Sequence, residues 1–150
     1  LFAFAGVDER GGEGGALHAL CHFLETNAAS PLRRYTPADA DIDAVLDLRA
    51  VLQQDFRSLT PGDMPYLLRP LKGKYGLRDY EKVFCPDLKS GQDLFEMRGI
   101  DRSQGCMVLV RPDQHVAQVL PLDAHEQLSQ FFDGFMIPCS DLRSAQVAAK

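Results

Sequence analysis

His18, Cys21, His22 and Glu25 stand at the spacing that brings side chains onto one stripe of a helix. Two imidazoles and a carboxylate on one stripe, with a thiol beside them, could surround zinc. The order His-Glu-x-x-His, which would add a general base, is absent. The same stripe also borders an apolar face of Leu17, Leu20 and Leu24, so a solvated helix boundary accounts for these residues without a metal. A second candidate is Gly11-Gly12-Glu13-Gly14-Gly15, which follows a strand-like run and precedes a helical one, where a dinucleotide fingerprint would sit. It lacks the G-x-G-x-x-G spacing, and Glu13 would repel a pyrophosphate. No G-x-x-x-x-G-K run exists either, so a flexible loop is the better reading.

Among the thiols, Cys106 beside Gly105 is the candidate nucleophile. A reactive thiolate needs a helix N-terminus or a basic neighbour, and only Arg102 is close in sequence. A buried structural cysteine is therefore expected. Asp39, Asp41, Asp43 and Asp47 bring carboxylates together, but without the glycine and closing glutamate of a calcium loop. His115 and His125 stand isolated. Between residues 53 and 89, Arg69, Lys72, Lys74, Arg78, Lys82 and Lys89 interleave with Tyr66, Tyr75, Tyr80 and Phe84. Either the aromatics pin a loop-rich insertion to the core, which is the favoured reading, or the stretch docks an anionic partner. No residue is thereby assigned a catalytic, cofactor-binding or metal-ligating role.

The elements that would position these groups are legible in part. Leu1 to Ala5 reads as a buried strand, and Ala16 to Glu25 as an amphipathic helix. Ala28 to Ala40 reads as loop, and Ile42 to Leu52 as a second strand, with a helix from Ala44 as its competitor. Strand, helix and strand then make a βαβ unit. A loop-rich insertion is expected over about 53–90. Ser90 and Asp93 suggest a capping box for a helix whose apolar face is Leu94 and Met97 and whose end is Gly99. Cys106 to Val110 reads as a central strand covered by helices on both faces. Pro112-Asp113 suits a type I turn into a strand carrying Val116 and Leu120. Asp123 with Glu126 suggests a capping box for a last helix carrying Leu128, Phe131, Phe132 and Phe135, ending at Gly134. Beyond Pro138 the tail is expected to fray.

A helix feeding a β-hairpin and then a further helix is the second half of a thioredoxin-like domain. The expected fold is thus α/β and thioredoxin-like: a central mixed sheet, βαβ then ββα, flanked by helices. Thioredoxins act through Cys-x-x-Cys, and Cys21, Cys85, Cys106 and Cys139 are nowhere in that spacing. Scattered thiols in apolar contexts fit a reducing compartment, the cytoplasm, better than a disulfide framework. A chain of 150 residues suits one domain, and its net charge of -5 argues against nucleic-acid or membrane-surface binding. No apolar run reaches membrane-spanning length. Because the chain opens inside a strand without Met, it is expected to be part of something longer.

Several segments together resemble a known family. They are Ser30-Pro31-Leu32-Arg33-Arg34-Tyr35-Thr36-Pro37, Asp79-Tyr80-Glu81-Lys82-Val83-Phe84, and the run from Phe95 to Met136. Within that run, Arg98-Gly99-Ile100-Asp101, Val110-Arg111-Pro112-Asp113-Gln114 and Leu120-Pro121-Leu122 carry most of the likeness. The chain is similar to the C-terminal domain of FAD-dependent aromatic hydroxylases of the phenol 2-monooxygenase and 3-hydroxybenzoate 4-monooxygenase type. The resemblance implies a non-catalytic, thioredoxin-like dimerisation domain that packs against N-terminal FAD and substrate domains. FAD and NAD(P)H are implied for the full-length homodimeric enzyme and not for these residues. The competing readings are a stand-alone thiol oxidoreductase or peroxidase using Cys106 or Cys85, and a ligand-binding module using the basic-aromatic insertion.

Overall fold

The computed structural model describes residues 1–87 and 89–140. Strand β1 (Phe2–Phe4) leads through the glycine loop to helix α1 (Ala16–Thr26) and a short helix α2 (Pro31–Tyr35). Strand β2 (Arg49–Val51) follows, then three 3-10 turns, a small hairpin of β3 (Leu71–Lys72) and β4 (Leu77–Arg78), and strand β5 (Val83–Phe84). The second half is helix α3 (Leu94–Arg98), strands β6 (Cys106–Val110) and β7 (Val116–Leu120), and helix α4 (His125–Asp133). Five strands form one mixed sheet in the order β5-β2-β1-β6-β7, with β3 and β4 paired apart from it. β1 runs parallel to β2 and antiparallel to β6, and β6 and β7 form the antiparallel hairpin. This is the thioredoxin-like α/β arrangement expected from the helix-fed hairpin.

Local chemistry explains most boundaries. Leu17, Leu20, Cys21 and Leu24 recur at helical spacing, and all four are buried against the sheet. α2 falls where a loop was expected. Ser30 caps it by accepting a hydrogen bond from the Arg33 N–H at 3.2 Å, and Pro31 takes the first turn, where its missing N–H costs nothing. The Ser30 hydroxyl also donates to the Leu24 carbonyl, tying α2 to α1. β2 is only three residues long, and neither a strand from Ile42 nor a helix from Ala44 forms. The preceding segment instead turns Asp43 and Asp47 towards Lys82, each carboxylate 2.5 Å from its ammonium.

Both expected capping boxes need correction. Asp93 itself caps α3 by accepting from the N–H groups of Phe95 and Glu96, and Ser90 lies outside the helix. The buried residue of α3 is Phe95, whereas Leu94 and Met97 are exposed. With so short a helix, only the side chain aimed at the sheet is covered. At α4 the cap position is Ala124, with no side-chain bond, and Glu126 pairs instead with Gln130 one turn on. Gly99 closes α3 at φ 62, as its place after the helix suggests. The Arg111–Gln114 turn carries Pro112 and Asp113 at its centre. The tail expected to fray beyond Pro138 falls largely on residues 141–150, outside the described residues. Cys139, within them, donates to the Tyr35 carbonyl.

The two faces of the sheet differ. On one face Ala3, Ala50, Met107, Leu109 and Leu120 meet α1, α2 and α4, with Leu128 and Phe132 of α4 buried there. On the other face α3 packs, and Phe95 is buried with Phe4 and Val51 while Phe2, Ile100, Cys106 and Val108 pack partly against them. β6 accordingly alternates between buried Met107 and Leu109 and half-covered Cys106, Val108 and Val110. The expectation of helices on both sides of this strand therefore holds fully on one side and only around Cys106 and Val108 on the other, because α3 is too short to span the sheet. At the entry to β6, Gly105 has φ 65, and a Cβ there would stand 1.9 Å from the Phe4 carbonyl oxygen. No side chain can occupy that position without moving β1.

Candidate interaction surface

The half-covered face carries a broad concave feature. It forms an open groove of about 1140 Å³ lined by Phe2, Phe84, Val108, Val110, Val116 and Val119. Alternation along the strands builds it: Phe2 pairs with Val108, Val108 with Val119, and Val110 with Val116, so all five side chains share one face. At one end Phe95 stands edge-on to Phe4, with ring centroids 5.5 Å apart. Arg102 closes this end. It pairs with Asp93, donates to Gln53 at 3.0 Å and lies over the Phe95 ring. Gln53 in turn donates to the Ala5 and Arg102 carbonyls, fixing the loop before β6. The strand floor of the groove is apolar and open, with Val116 60% and Val119 56% exposed, and polar residues such as Asp87, Gln92, Arg98 and Gln114 line its rim.

The residues singled out from the sequence do not converge on it as reactive groups. Cys106 and Cys85 both line the groove. Burial pushes both thiols up from their ordinary value, and Asp55 adds to the effect at Cys85. A thiolate is thus disfavoured at the two positions on which an oxidoreductase reading rests. Arg102, the neighbour that might have activated Cys106, is engaged with Asp93 and Gln53. Cys21 is buried in the core, and burial raises its thiol still further. All four cysteines are free.

The glycine loop does not fit the pyrophosphate of a dinucleotide such as FAD. The Glu9 carboxylate already accepts from the Leu17 N–H at the start of α1, at 2.7 Å, and it packs so tightly on Gly15 that a Cβ there would stand 2.8 Å from its oxygen. A helix N-terminus filled by its own carboxylate has no room for a phosphate. On the His18 stripe, Cys21 is buried, His22 is exposed, and Glu25 accepts from the Leu67 N–H. No metal-holding cluster forms among the described residues. His125 stacks flat on Phe23, joining α1 to α4, and burial pushes its imidazole below the usual value.

In the insertion the favoured reading needs inverting. Its aromatics do not pin it, since Tyr66, Tyr75, Tyr80 and Phe84 are all exposed, Tyr75 at 81%. A lysine does. Lys82 is 1% exposed and its ammonium meets Asp43, Asp47 and, at 3.7 Å, Asp79. Lys72 joins the same group through Asp43 and Asp79. Burial pushes the Asp43 and Asp47 carboxyls up, but hydrogen bonds and charge from Lys82, with Lys72 and Arg49, outweigh it and hold both below the usual range. From sequence alone Lys82 reads as one of the insertion's interleaved cations, and Asp43 and Asp47 read only as carboxylates without a calcium-loop pattern. The only signal to the contrary is that Lys82 immediately precedes the apolar pair of β5, which joins the main sheet beside β2.

Fold and surface together define a class: a thioredoxin-like scaffold whose four thiols form no disulfide and whose sheet leaves one face half-covered. Over residues 1–140 the chain matches the model of the phenol hydroxylase C-terminal dimerisation domain, and it belongs to that family. It is 56% identical over 137 residues to the 3-hydroxybenzoate 4-monooxygenase of Comamonas testosteroni, covering 91% of this chain and 21% of that protein. It is 33% identical over 109 residues to the FAD-dependent monooxygenase terD of Aspergillus terreus, covering 71% of this chain and 18% of that protein. The chain thus spans about a fifth of the length of the curated relatives it matches. No helix among the described residues is long and apolar enough to cross a membrane.

Proposed function

We propose that residues 1–150 act as one structural and dimerising domain of a longer FAD-dependent aromatic hydroxylase. The observation that carries this is the identity of 56% to a 3-hydroxybenzoate 4-monooxygenase, sustained over nearly the whole chain. The substrate is accordingly a hydroxylated benzoate or related phenol. NAD(P)H reduces the flavin, and both cofactors are held by the other domains. None of the present residues is assigned a catalytic, cofactor-binding or metal-ligating role. The carboxylate-filled start of α1 and the raised thiols favour that assignment over an independent redox enzyme. Four free thiols suit a reducing compartment such as the cytoplasm. The enzyme works as a homodimer, with this domain supplying assembly and not chemistry.

The test is made on the full-length protein. It should purify yellow with bound FAD and consume NADH or NADPH when 3-hydroxybenzoate is added, yielding a dihydroxybenzoate. The segment 1–150 alone should carry no flavin spectrum. A colourless full-length protein, or flavin retained by residues 1–150, overturns the reading.

A further inference from the structure

The insertion between β2 and α3 holds a cavity of its own, about 250 Å³ in volume. The 3-10 turns Phe56–Ser58, Pro61–Asp63 and Tyr66–Leu68, with the residue that closes each, supply most of its lining. Leu59, Pro61 and Met64 make the wall apolar, and exposed Phe56 and Tyr80 bring aromatic rings to it. Arg69 is the charged residue of this lining. Five lysines and arginines among the described residues are at least partly buried, namely Arg34, Arg49, Arg69, Lys72 and Lys82. Four of these pair with a carboxylate, and Arg69 does not. Its Nε donates to the Met64 carbonyl at 2.6 Å, and its two terminal nitrogens make no hydrogen bond among the described residues. Asp55, whose charge reaches Cys85 on the same lining, is engaged by Arg57, accepting from its N–H at 3.0 Å and pairing with its guanidinium. A guanidinium withdrawn from water without an anion is what folded proteins avoid unless a ligand brings one.

We propose that this cavity binds one molecule of a small aromatic carboxylic acid, with the carboxylate on the Arg69 guanidinium and the ring against Phe56, Leu59 and Tyr80. The free terminal nitrogens of a guanidinium offer a carboxylate two parallel N–H groups, which an ammonium cannot. A volume of about 250 Å³ lies below the roughly 300–1,000 Å³ of pockets for drug-sized ligands and suits a single ring. An inorganic anion would leave the apolar wall unmatched, and a neutral ring would leave Arg69 unmatched. The basic-aromatic stretch thereby has a role apart from assembly and apart from the flavin chemistry of the other domains. The choice of 3-hydroxybenzoate as the acid rests on the hydroxylase reading above, and the site itself does not.

The experiment uses the full-length protein and 3-hydroxybenzoate, without NADH or NADPH so that no turnover occurs. Equilibrium dialysis should find two molecules per chain in the wild type and one in Arg69→Ala. Cys85 lies on the same lining and reports the site directly. At about ten times the dissociation constant, the acid should slow Cys85 alkylation by iodoacetamide about tenfold in the wild type and not in Arg69→Ala. 3-Hydroxybenzyl alcohol, which keeps the ring and loses the charge, should not protect. Should Arg69→Ala fail to fold, Phe56→Ala at an exposed position should raise the concentration needed for protection about fivefold. A single molecule per chain that Arg69→Ala retains, Cys85 alkylation unaffected by the acid, or equal protection by the alcohol overturns the proposal. A protein without FAD whose Cys85 is still protected through Arg69 overturns the functional reading instead and leaves the cavity's role standing.

Discussion

The closed and open faces of one sheet are built from the same strands by alternate residues, yet they serve different ends. On the closed face Met107, Leu109 and Leu120 meet three helices, and their burial is complete within the described residues. On the open face Val108, Val110 and Val119 have the same chemical character and are covered only in part, Val119 least of all. Apolar side chains of one type thus hold the domain together on one side and await a partner on the other. What separates them is the supply of helices. α1, α2 and α4 lie on the closed face, and α3, five residues long, is all that reaches the open one. A contiguous apolar surface left in this way marks an interaction site.

The largest expected effects lie on the closed face. Phe132 is buried between α4 and the core, with the Tyr35 and Phe131 rings close by. Phe132→Ala should cost about 3–5 kcal/mol, read as a drop in urea midpoint. Against a total stability of roughly 5–15 kcal/mol, that loss unfolds or severely weakens the domain. In the full-length enzyme the change should lower yield and assembly more than turnover per bound flavin. Equal stability with lost turnover would place α4 in the catalytic apparatus and break the distinction between the faces.

Lys82→Ala should cost less, about 1–3 kcal/mol, because Asp43 keeps Lys72 and Asp47 keeps Arg49 while both lose the buried cation they share. The same cluster sets a pH dependence. Asp43 and Asp47 are held below their unfolded value, so their contribution is present above about pH 4 and is lost as pH falls through the folded values. Thermal scans from pH 7 to pH 3 should show this loss, and Lys82→Met should flatten the curve. A wild-type curve that is already flat would remove the cluster from the stability of the insertion.

Smaller effects are expected on the open face. Val119→Lys should change unfolding free energy by about 0.5 kcal/mol or less, as for other exposed positions. A loss of several kcal/mol would mean that the open face is part of the fold's own core. Reductant should have the smallest effect of all. With four free thiols, dithiothreitol should leave the melting temperature unchanged, and a shift would indicate a crosslink.

Much of the fold was legible in the residues. The period of Leu17, Leu20, Cys21 and Leu24 named α1 and its buried stripe, and Gly99 and Pro112-Asp113 marked the end of α3 and the hairpin turn. These signals are local, since they depend on the spacing and backbone preferences of neighbours in the chain. The Ser30-Pro31 signature of α2 is equally local, although prolines at 31 and 37 also suit a loop. The candidate surface was much less legible. Cys106 to Val110 is continuously apolar, and nothing in such a run tells which of its two faces will be covered.

By itself, then, the sequence determined β1, α1, the β6–β7 hairpin and the last helix, the absence of a Cys-x-x-Cys pair and, through its motifs, the family. Tertiary structure alone decided three further matters. Lys82 became a buried cation because Asp43 and Asp47, more than thirty residues away, fold onto it. Glu9 came to fill the α1 N-terminus because the glycine loop turns back on itself. The valines of β6 and β7 became a surface because α3 is too short to cover them. Each depends on contacts between residues distant along the chain, and a linear pattern does not encode which distant groups will meet.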